Sequence, residues 1–184
     1  QHRRIVEATR LLLASNDVDS IRVADIADGA GCSTATIHNH FPNALPDILA
    51  AISEDIIQAA FKQFEKISKD FSGIELVRSY FKTVGEHISE QADVAVPSIA
   101  ISVDLASQGS WFDRKIFSDC KELFKTAKET EQINGSHDQL ASLTHTFFQG
   151  ALYSWALGSI TSEEFLRMST ESVDFAVSSC RGAP

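Results

Sequence analysis

Residues 23–41 read Val-Ala-Asp-Ile-Ala-Asp-Gly-Ala-Gly-Cys-Ser-Thr-Ala-Thr-Ile-His-Asn-His-Phe, and this stretch decides the fold. It contains two short segments with a glycine-centred turn between them, as a helix-turn-helix requires. Ala27 is small where the second helix must cross close to the first, and Gly31 can take a left-handed turn conformation at little steric cost. Ile37 is predicted to fill the gap between the two helices. Ser33 is predicted to cap the second helix by accepting a backbone N–H.

Helical periodicity extends outward from this stretch over nearly the whole chain. Apolar residues recur three and four positions apart, as at Ile56, Ala60 and Phe64, and no alternating strand pattern of useful length occurs. Segments between turn-forming residues predict about nine helices, the first three short and the later ones long. The predicted fold class is therefore all-α, with a three-helix head (residues 1–45) joined to a larger C-terminal helical bundle, the body (residues 46–184).

Two prolines bear on how these parts connect. A long helix is expected to begin near Leu45, because Pro46 would then lie in its first turn, where the missing N–H costs nothing. Pro97 is expected to interrupt the helices of the body. The head should thus be coupled to the body through one continuous helix.

Composition excludes several classes of protein. Three cysteines without a C-x-x-C pair in 184 residues argue against a disulfide framework or a zinc site and favour a reducing cytoplasm. Residues 139–162 carry no charge, but only half of them are apolar, so a buried helix is expected there and no membrane contact. Motifs of hydrolases, phosphate-binding loops and metal centres are lacking. No enzyme activity, catalytic residue, metal or cofactor is therefore predicted.

Residues 5–52 resemble the tetracycline-repressor (TetR) family of bacterial transcriptional regulators. The resemblance rests on the quoted turn together with five flanking groups: Ile5-Val6-Glu7-Ala8, Leu11 to Leu13, Thr36-Ile37, His40-Phe41-Pro42-Asn43 and Ile48-Leu49. It implies that the third helix enters the major groove of an operator. The DNA-binding residues implied at its exposed positions, with the residue before the second helix, are Arg22, Ser33, Thr34, Ala35, Thr36, His38, Asn39 and His40.

Three positions in this region depart from the family pattern. His38 stands where the family usually has tyrosine, Ala44 where a phosphate-contacting lysine is common, and Arg22 where Ser or Thr usually caps the second helix. We therefore hypothesise that a phosphate contact has moved from Ala44 to Arg22.

The net charge of −9 at first argues against nucleic-acid binding, but most of this charge lies outside the head. Residues 1–50 hold four basic and six acidic side chains, a net charge of −2, and the remaining −7 lies in residues 51–184. The third helix has no Lys or Arg. Because phosphate neutralisation supplies much of DNA affinity, the head is expected to bind DNA with a weak electrostatic contribution unless basic residues precede the given sequence. Histidines of that helix can add charge below about pH 6.5.

The body is expected to bind a ligand and to form a dimer, as the family resemblance implies. Its helices five to eight would enclose a largely apolar effector pocket. The candidate lining residues, chosen by helical position, are Phe81, His87, Trp111, Phe124, His145 and Phe148. Two terminal helices, about 138–157 and 162–179, carry small residues spaced by four and an apolar stripe that favour close pairing with a second copy. The candidate interface residues are Gly150, Ser154, Gly158, Phe165, Met168, Ser172, Phe175 and Ala176.

These expectations give a function and an alternative. The first is a cytoplasmic, homodimeric regulator, a repressor released from a palindromic double-stranded DNA operator by a small, largely apolar effector. The alternative is a dimeric small-molecule-binding or interaction protein whose head binds DNA weakly or not at all. Salt-dependent binding to the chain's own upstream DNA distinguishes the two.

Overall fold

The computed structural model describes residues 1–104 and 111–180, with side chains described outside residues 100–113. These ranges hold nine α-helices and two 3₁₀ turns, Val18–Ser20 and Ser68–Asp70, and no strand, which confirms the all-α prediction. The helices are α1 (His2–Leu13), α2 (Val23–Ala30), α3 (Thr34–His40), α4 (Leu45–Ile67), α5 (Gly73–Ser89), α6 (Ala92–Asp104), α7 (Trp111–Thr130), α8 (His137–Ala156) and α9 (Ser162–Ser179).

The head packs α1, α2 and α3 around one apolar centre. Ile5 of α1, Ile26 of α2 and Ile37 of α3 are fully buried there. Gly31 ends α2 in the left-handed conformation, with φ of 60° and ψ of 49°, and this turn directs α3 across α2. The predicted roles of Gly31 and Ile37 are thereby confirmed.

The fourth helix begins where the proline pattern predicted. Pro46 lies in the first turn of α4, and Asp47 accepts hydrogen bonds from the backbone N (2.8 Å) and side-chain Nδ2 (3.1 Å) of Asn43. This 23-residue helix buries Ile48 and Leu49 with the head and Phe61 with the body. It is thus the continuous connection between the two.

The body centres on aromatic side chains from α5, α7, α8 and α9. Tyr80, Phe81, Phe124, Phe148 and Phe165 are among its largest fully buried side chains. Burying a side chain of this kind contributes on the order of 1.5–3 kcal/mol. The body is therefore stabilised chiefly by the contacts of these rings.

Pro97 does not interrupt the body's helices as expected, because it lies inside α6. Proline removes one N–H donor from a helix, and the packing of α6 against α4 and α8 tolerates that loss.

The last helix begins with a reciprocal cap. Glu164 N donates to Thr161 Oγ1 (3.2 Å), and Thr161 N donates to Glu164 Oε2 (2.8 Å). The backbone hydrogen bond from Thr161 lowers the pKa of Glu164. No helix in the described ranges is long and apolar enough to cross a membrane.

Candidate functional site

The outer surface of α3 is the first candidate site. Ile37 points inward and is fully buried, whereas Thr36 is half-buried. The remaining predicted positions on and beside α3 are exposed to solvent: Ser33, Thr34, Ala35, His38, Asn39 and His40. The sequence prediction thus names side chains that the fold brings onto one accessible helix surface.

Ser33 caps α3 as predicted. Thr36 N donates to Ser33 Oγ at 3.1 Å, and the hydroxyls of Ser33 and Thr36 lie 2.9 Å apart. These two hydroxyls therefore already have partners in the helix cap. By contrast, Thr34 and Asn39 have no side-chain hydrogen bond among the described residues, so their polar groups are available to another molecule.

Arg22 is the residue before α2, and only its backbone takes part in the cap. Its N–H donates to Asp25 Oδ2 at 3.0 Å, while the exposed guanidinium has no partner within the described part of the chain. A second cation, which sequence reasoning did not single out, lies at the turn before α3. Arg4 reaches the turn so closely that a Cβ built on Gly31 would lie 2.7 Å from its Nη2.

The N-terminus of α1 lies beside the C-terminus of α3. The His2 ring is 4.5 Å from the Phe41 ring and 6.5 Å from the His40 ring, measured between centroids. His38 Nδ1 lies 3.4 Å from the carbonyl oxygen of Pro42. Imidazoles therefore supply much of the polar surface at this end of the head, and His2 was not predicted because it is far from α3 in sequence.

One arginine joins the head to the body. Arg10 of α1 donates through Nη1 to Gln91 Oε1 (2.9 Å) and through Nη2 to the carbonyl of Ile52 (3.4 Å), and its Nη2 lies 3.8 Å from Asp55 Oδ2. Its partners belong to α4 and to the turn between α5 and α6. Arg10 is therefore occupied in a structural contact and does not add to the free positive charge of the head.

The predicted pocket residues fall into two groups. Phe81, Phe124 and Phe148 are fully buried, and the rings of Phe81 and Phe148 contact each other at 5.1 Å. His87 and His145 are half-buried at separate places: His87 Nδ1 lies 3.1 Å from the carbonyl of Thr83, and the His145 ring meets Phe117 at 5.6 Å. The side chain of Trp111 lies outside the described residues. The structure thus brings two of the phenylalanines together in the body core.

A chain of polar contacts next to these phenylalanines was not predicted. Tyr80 of α5 donates to Asp119 Oδ2 of α7 at 3.1 Å, and Lys115 pairs with the same carboxylate. Lys115 Nζ also lies 4.9 Å from the centre of the Phe61 ring of α4, a cation–π distance. Burial raises the pKa of Tyr80, and Asp119 raises it further, so Tyr80 remains a neutral donor. These contacts link α7 to α4.

A surface groove with a cavity volume of about 870 Å³ lies between the start of α5, the α7–α8 connection, α8 and α9. Arg78 lines it and pairs with Glu75 and Asp174. Burial acts to lower the pKa of Arg78, but the hydrogen bond and charge of Asp174 raise it overall. Because Arg78 and Asp174 are 96 positions apart, no sequence signal marked this groove.

The outward surface of α8 and α9 contains the predicted small residues. Apart from their own helix and chain neighbours, no described residue lies within 4 Å of a Cβ built on Gly150 or Gly158, and Ser154 is half-buried. These glycines are therefore not needed for packing inside the protomer. Leu157, 70% exposed, is an apolar side chain on this surface that the sequence analysis did not include.

The apolar stripe of α9 is divided between two environments. Met168 is half-buried and Phe175 is 46% exposed, so both can meet another molecule. Phe165, Ser172 and Ala176 are fully buried in the protomer. These three are therefore corrected from interface residues to core residues, since a side chain without exposed surface cannot contact a second copy.

Comparisons with known proteins agree with this geometry. Residues 5–43 match the sequence model described as "Bacterial regulatory proteins, tetR family". No curated protein sequence matches the chain.

Solved structures with the same fold cover nearly the whole chain. Thermus thermophilus FadR, a TetR-family transcriptional repressor in complex with lauroyl-CoA, has a TM-score of 0.74 at 14% identity over 94% of this chain and 93% of that one. A TetR transcriptional regulator from Rhodococcus sp. RHA1 has a TM-score of 0.67 at 14% identity over 96% and 94%. The repressor QsdR of R. erythropolis has a TM-score of 0.63 at 15% identity over 100% and 97%. At these identities the likeness shows a shared fold.

Proposed function

We propose that the chain is a ligand-responsive, DNA-binding repressor of the TetR family, whose sequence model matches residues 5–43. Residues 1–45 bind a palindromic operator in the cytoplasm, and residues 46–184 bind a small, largely apolar effector and form a homodimer. The observation that carries the proposal is the surface of α3, which displays unpaired polar side chains on a helix fixed by the Gly31 turn.

The polar side chains on the exposed surface of α3 would contact the DNA bases directly. Asn39 offers an amide that can pair with the edge of an adenine, and Thr34 offers a hydroxyl for a phosphate or a base. Arg22 precedes α2, and the guanidinium of Arg4 reaches from α1 to the turn before α3, so both can meet the sugar–phosphate backbone. In this proposal α3 recognises the DNA sequence, and the two arginines hold α3 in position on the DNA backbone.

The dimer is proposed to form through the outward surface of α8 and α9. Gly150 and Gly158 allow a second helix to approach closely, and Phe175 and Leu157 supply apolar area. A twofold pair would present two α3 helices to half-sites about one turn of DNA apart, which is why a palindromic operator is expected.

The interior of the body is built from phenylalanine side chains, and this apolar character supports an apolar effector. The FadR structure, which has the same fold, is a complex with lauroyl-CoA. The effector would act by favouring a body conformation in which the heads no longer match the operator, which requires different effector affinities in the two states.

Binding of fluorescent DNA from upstream of the chain's own gene tests the proposal. We expect specific binding by fluorescence anisotropy at 50 mM salt, with the affinity falling steeply as salt rises. The double variant Thr34→Ala/Asn39→Ala should lose preference for this DNA over a scrambled duplex, while Lys66→Ala in the body should not. Equal binding to both duplexes by the unmodified chain would refute operator recognition.

The acidic head favours a second candidate function, a dimeric ligand-binding protein that does not regulate transcription directly. Residues 1–50 have a net charge of −2, and α3 has no Lys or Arg. If the chain binds ligands and dimerises but shows no specific DNA binding at low salt, this second function replaces the first.

A further inference from the structure

Three exposed histidines lie where the start of α1 meets the end of α3. His38 and His40 belong to the last turn of α3, and His2 is the first residue of α1. The ring centroids of His2 and His40 are 6.5 Å apart. Because α3 contains no Lys or Arg, His38 and His40 are the side chains of this helix that can gain a positive charge near neutral pH.

Contacts within the head hold these rings at its surface. The His2 ring packs against the Phe41 ring, with 4.5 Å between their centroids. His38 Nδ1 lies 3.4 Å from the carbonyl oxygen of Pro42, which can accept a hydrogen bond from a protonated Nδ1. A charged imidazole in the last turn of α3 also meets the negative end of the helix dipole. The fold therefore provides partners for the protonated forms of the α3 histidines.

The carboxylates of the head leave the three imidazoles unpaired within the described part of the chain. The histidine found within 4.0 Å of a carboxylate oxygen is His137 of the body, 3.5 Å from Asp138. A positive charge gained by the three imidazoles of the head would therefore remain open to an anion from outside. The charged side chains on the helices that pack at this end are Arg3, Arg4 and Glu7 on α1, Asp25 and Asp28 on α2, and Asp47 on α4.

Two of these carboxylates already have hydrogen-bond donors. Asp25 accepts from the backbone N–H of Arg22, and Asp47 accepts from the backbone and side chain of Asn43. Arg3 and Arg4, in contrast, are exposed cations directly after His2. A polyanion that approaches this end of the head thus meets two permanent positive charges beside three groups that can become positive.

The length of α3 brings this end close to phosphates in the proposed DNA complex. Its seven residues span about 10 Å, and the major groove of DNA is about 12 Å wide. When the first turns of such a helix meet base edges, its last turn lies near the sugar–phosphate backbone that borders the groove. The phosphate oxygens there would favour the charged form of a neighbouring imidazole.

We propose that His2, His38 and His40 form a phosphate-contacting site at the end of α3 that takes up protons when the head binds DNA, so that DNA affinity rises as the pH falls. Each proton comes from solvent, and the charged imidazole donates an N–H to a phosphate oxygen. This inference rests on the proposed function for the contact of the head with DNA, and it adds a regulation by pH.

The sign of the pH dependence follows from proton linkage. The complex holds more protons than the free chain, so a lower pH favours the complex. The effect is largest on either side of about pH 6.5, where histidine commonly titrates, and DNA phosphates remain charged throughout this range. We expect the unmodified chain to bind duplex DNA about 10-fold more tightly at pH 6.0 than at pH 7.5 and 100 mM salt.

Neutral variants test which histidines cause this change. Fluorescence anisotropy with DNA from upstream of the chain's own gene should show a change below 3-fold for His2→Gln/His38→Gln/His40→Gln over the same pH range. His38→Gln/His40→Gln leaves the packing of His2 on Phe41 intact and should lose most of the change. His137→Gln, which removes an exposed histidine of the body, is the matched control and should keep the full 10-fold change.

Permanent charge at the same positions gives a readout that a structural role would not move. His38→Lys/His40→Lys should bind at pH 7.5 about as tightly as the unmodified chain does at pH 6.0, because lysine stays charged at both pH values. Calorimetry at pH 7.0 in two buffers of different ionisation enthalpy measures the protons directly. We expect an uptake of about one proton per head on DNA binding, and an uptake near zero for the triple glutamine variant.

Three results overturn the inference. They are an affinity that changes by less than 2-fold between pH 7.5 and 6.0, a triple glutamine variant that keeps the pH dependence of the unmodified chain, or no DNA binding at pH 6.0 and 50 mM salt.

A scrambled duplex separates this inference from the repressor proposal. Phosphate contacts carry no sequence information, so the scrambled duplex should show the same pH dependence as the upstream DNA. If the chain binds both duplexes equally and with this pH dependence, operator recognition fails and the histidine site stands. If the chain prefers the upstream DNA without any pH dependence, the repressor proposal stands and the histidine site fails.

Discussion

Arg22 combines two tasks in one residue, because its backbone belongs to a helix cap while its side chain remains free. The cap depends on the Arg22 N–H and the Asp25 carboxylate, so the side chain is not required for it. The guanidinium can therefore serve binding without disturbing the start of α2. This arrangement supports the hypothesis that Arg22 supplies the phosphate contact absent at Ala44.

Arg22→Ala should weaken operator binding without unfolding the head. Loss of one phosphate contact should lower affinity about 3- to 10-fold at 100 mM salt and reduce the slope of log affinity against log salt by about 1. Anisotropy titrations at several salt concentrations measure both quantities. Lys66→Ala, which removes an exposed cation from the body, is the control, and an unchanged slope for Arg22→Ala would contradict the phosphate contact.

Local residues of the head were predictable from sequence, and distant ones were not. Gly31, Ser33 and Ile37 act within one turn or one helix pair, so their spacing defines their roles. Arg4 and His2 reach the same region from α1, and only the folded chain brings them there. The polar surface of the head was therefore underestimated from the sequence.

Two glycines inside helices illustrate how the same residue type serves opposite purposes. Gly85 of α5 faces α9 so closely that a Cβ would lie 2.8 Å from Ser169 Oγ, whereas a Cβ on Gly150 would meet nothing within 4 Å. Glycine lowers helix stability by about 0.5–1 kcal/mol relative to alanine, so each needs a reason. For Gly85 the reason is packing inside the protomer.

Gly85→Ala should destabilise the protomer. The new methyl group would force α5 away from α9, at a cost of about 1–3 kcal/mol in the free energy of unfolding. Urea denaturation measures the change. Adding Ser169→Ala should restore part of the lost stability, because it removes the hydroxyl closest to the new methyl group. If the losses of the two single variants simply add in the double variant, α5 and α9 do not approach closely at Gly85.

Gly150→Ala should act in the opposite direction on the protomer. With no clash to offset the gain in helix propensity, the protomer should be stabilised by about 0.5–1 kcal/mol, and the proposed dimer should weaken because the methyl group separates the helices. Sedimentation across micromolar concentrations reports dimerisation, and urea denaturation of the monomeric fraction reports stability. Unchanged dimerisation in both Gly150→Ala and Gly150→Leu would remove α8 from the interface.

Helical periodicity predicted the elements well but not which partner covers each face. The prediction placed the last helix at Ser162–Ser179, where the structure has it. Phe165 and Phe175 belong to one apolar stripe, yet Phe165 packs in the core and Phe175 is half exposed. A stripe shows only that a face is apolar, and its division between core and surface depends on where neighbouring helices lie.

At the scale of the molecule, Arg10 is the main polar connection between head and body found in the described residues. Its side chain, 20% exposed, contacts α4 and the α5–α6 turn at once. A change of body shape that moves Gln91 relative to Ile52 must therefore alter the contacts of α1. The effector response of the proposed repressor can reach the head by this route as well as through α4.

Arg10→Met should loosen the head from the body. The apolar side chain keeps much of the packing but loses the hydrogen bonds, so the free energy of unfolding should fall by about 1–3 kcal/mol. Urea denaturation measures this loss, with Arg3→Met as the exposed control. Equal stability of the two variants would show that the contacts of Arg10 do not hold the head in place.

The length of α4 has a mechanical consequence. Its 23 residues form a rod about 35 Å long, since each helical residue rises about 1.5 Å. Tilting such a rod by about 5° moves one end by about 3 Å relative to the other, close to the ~3.4 Å between neighbouring base pairs. An angular change too small to disrupt the core around Phe61 can therefore shift a head by a whole step along DNA.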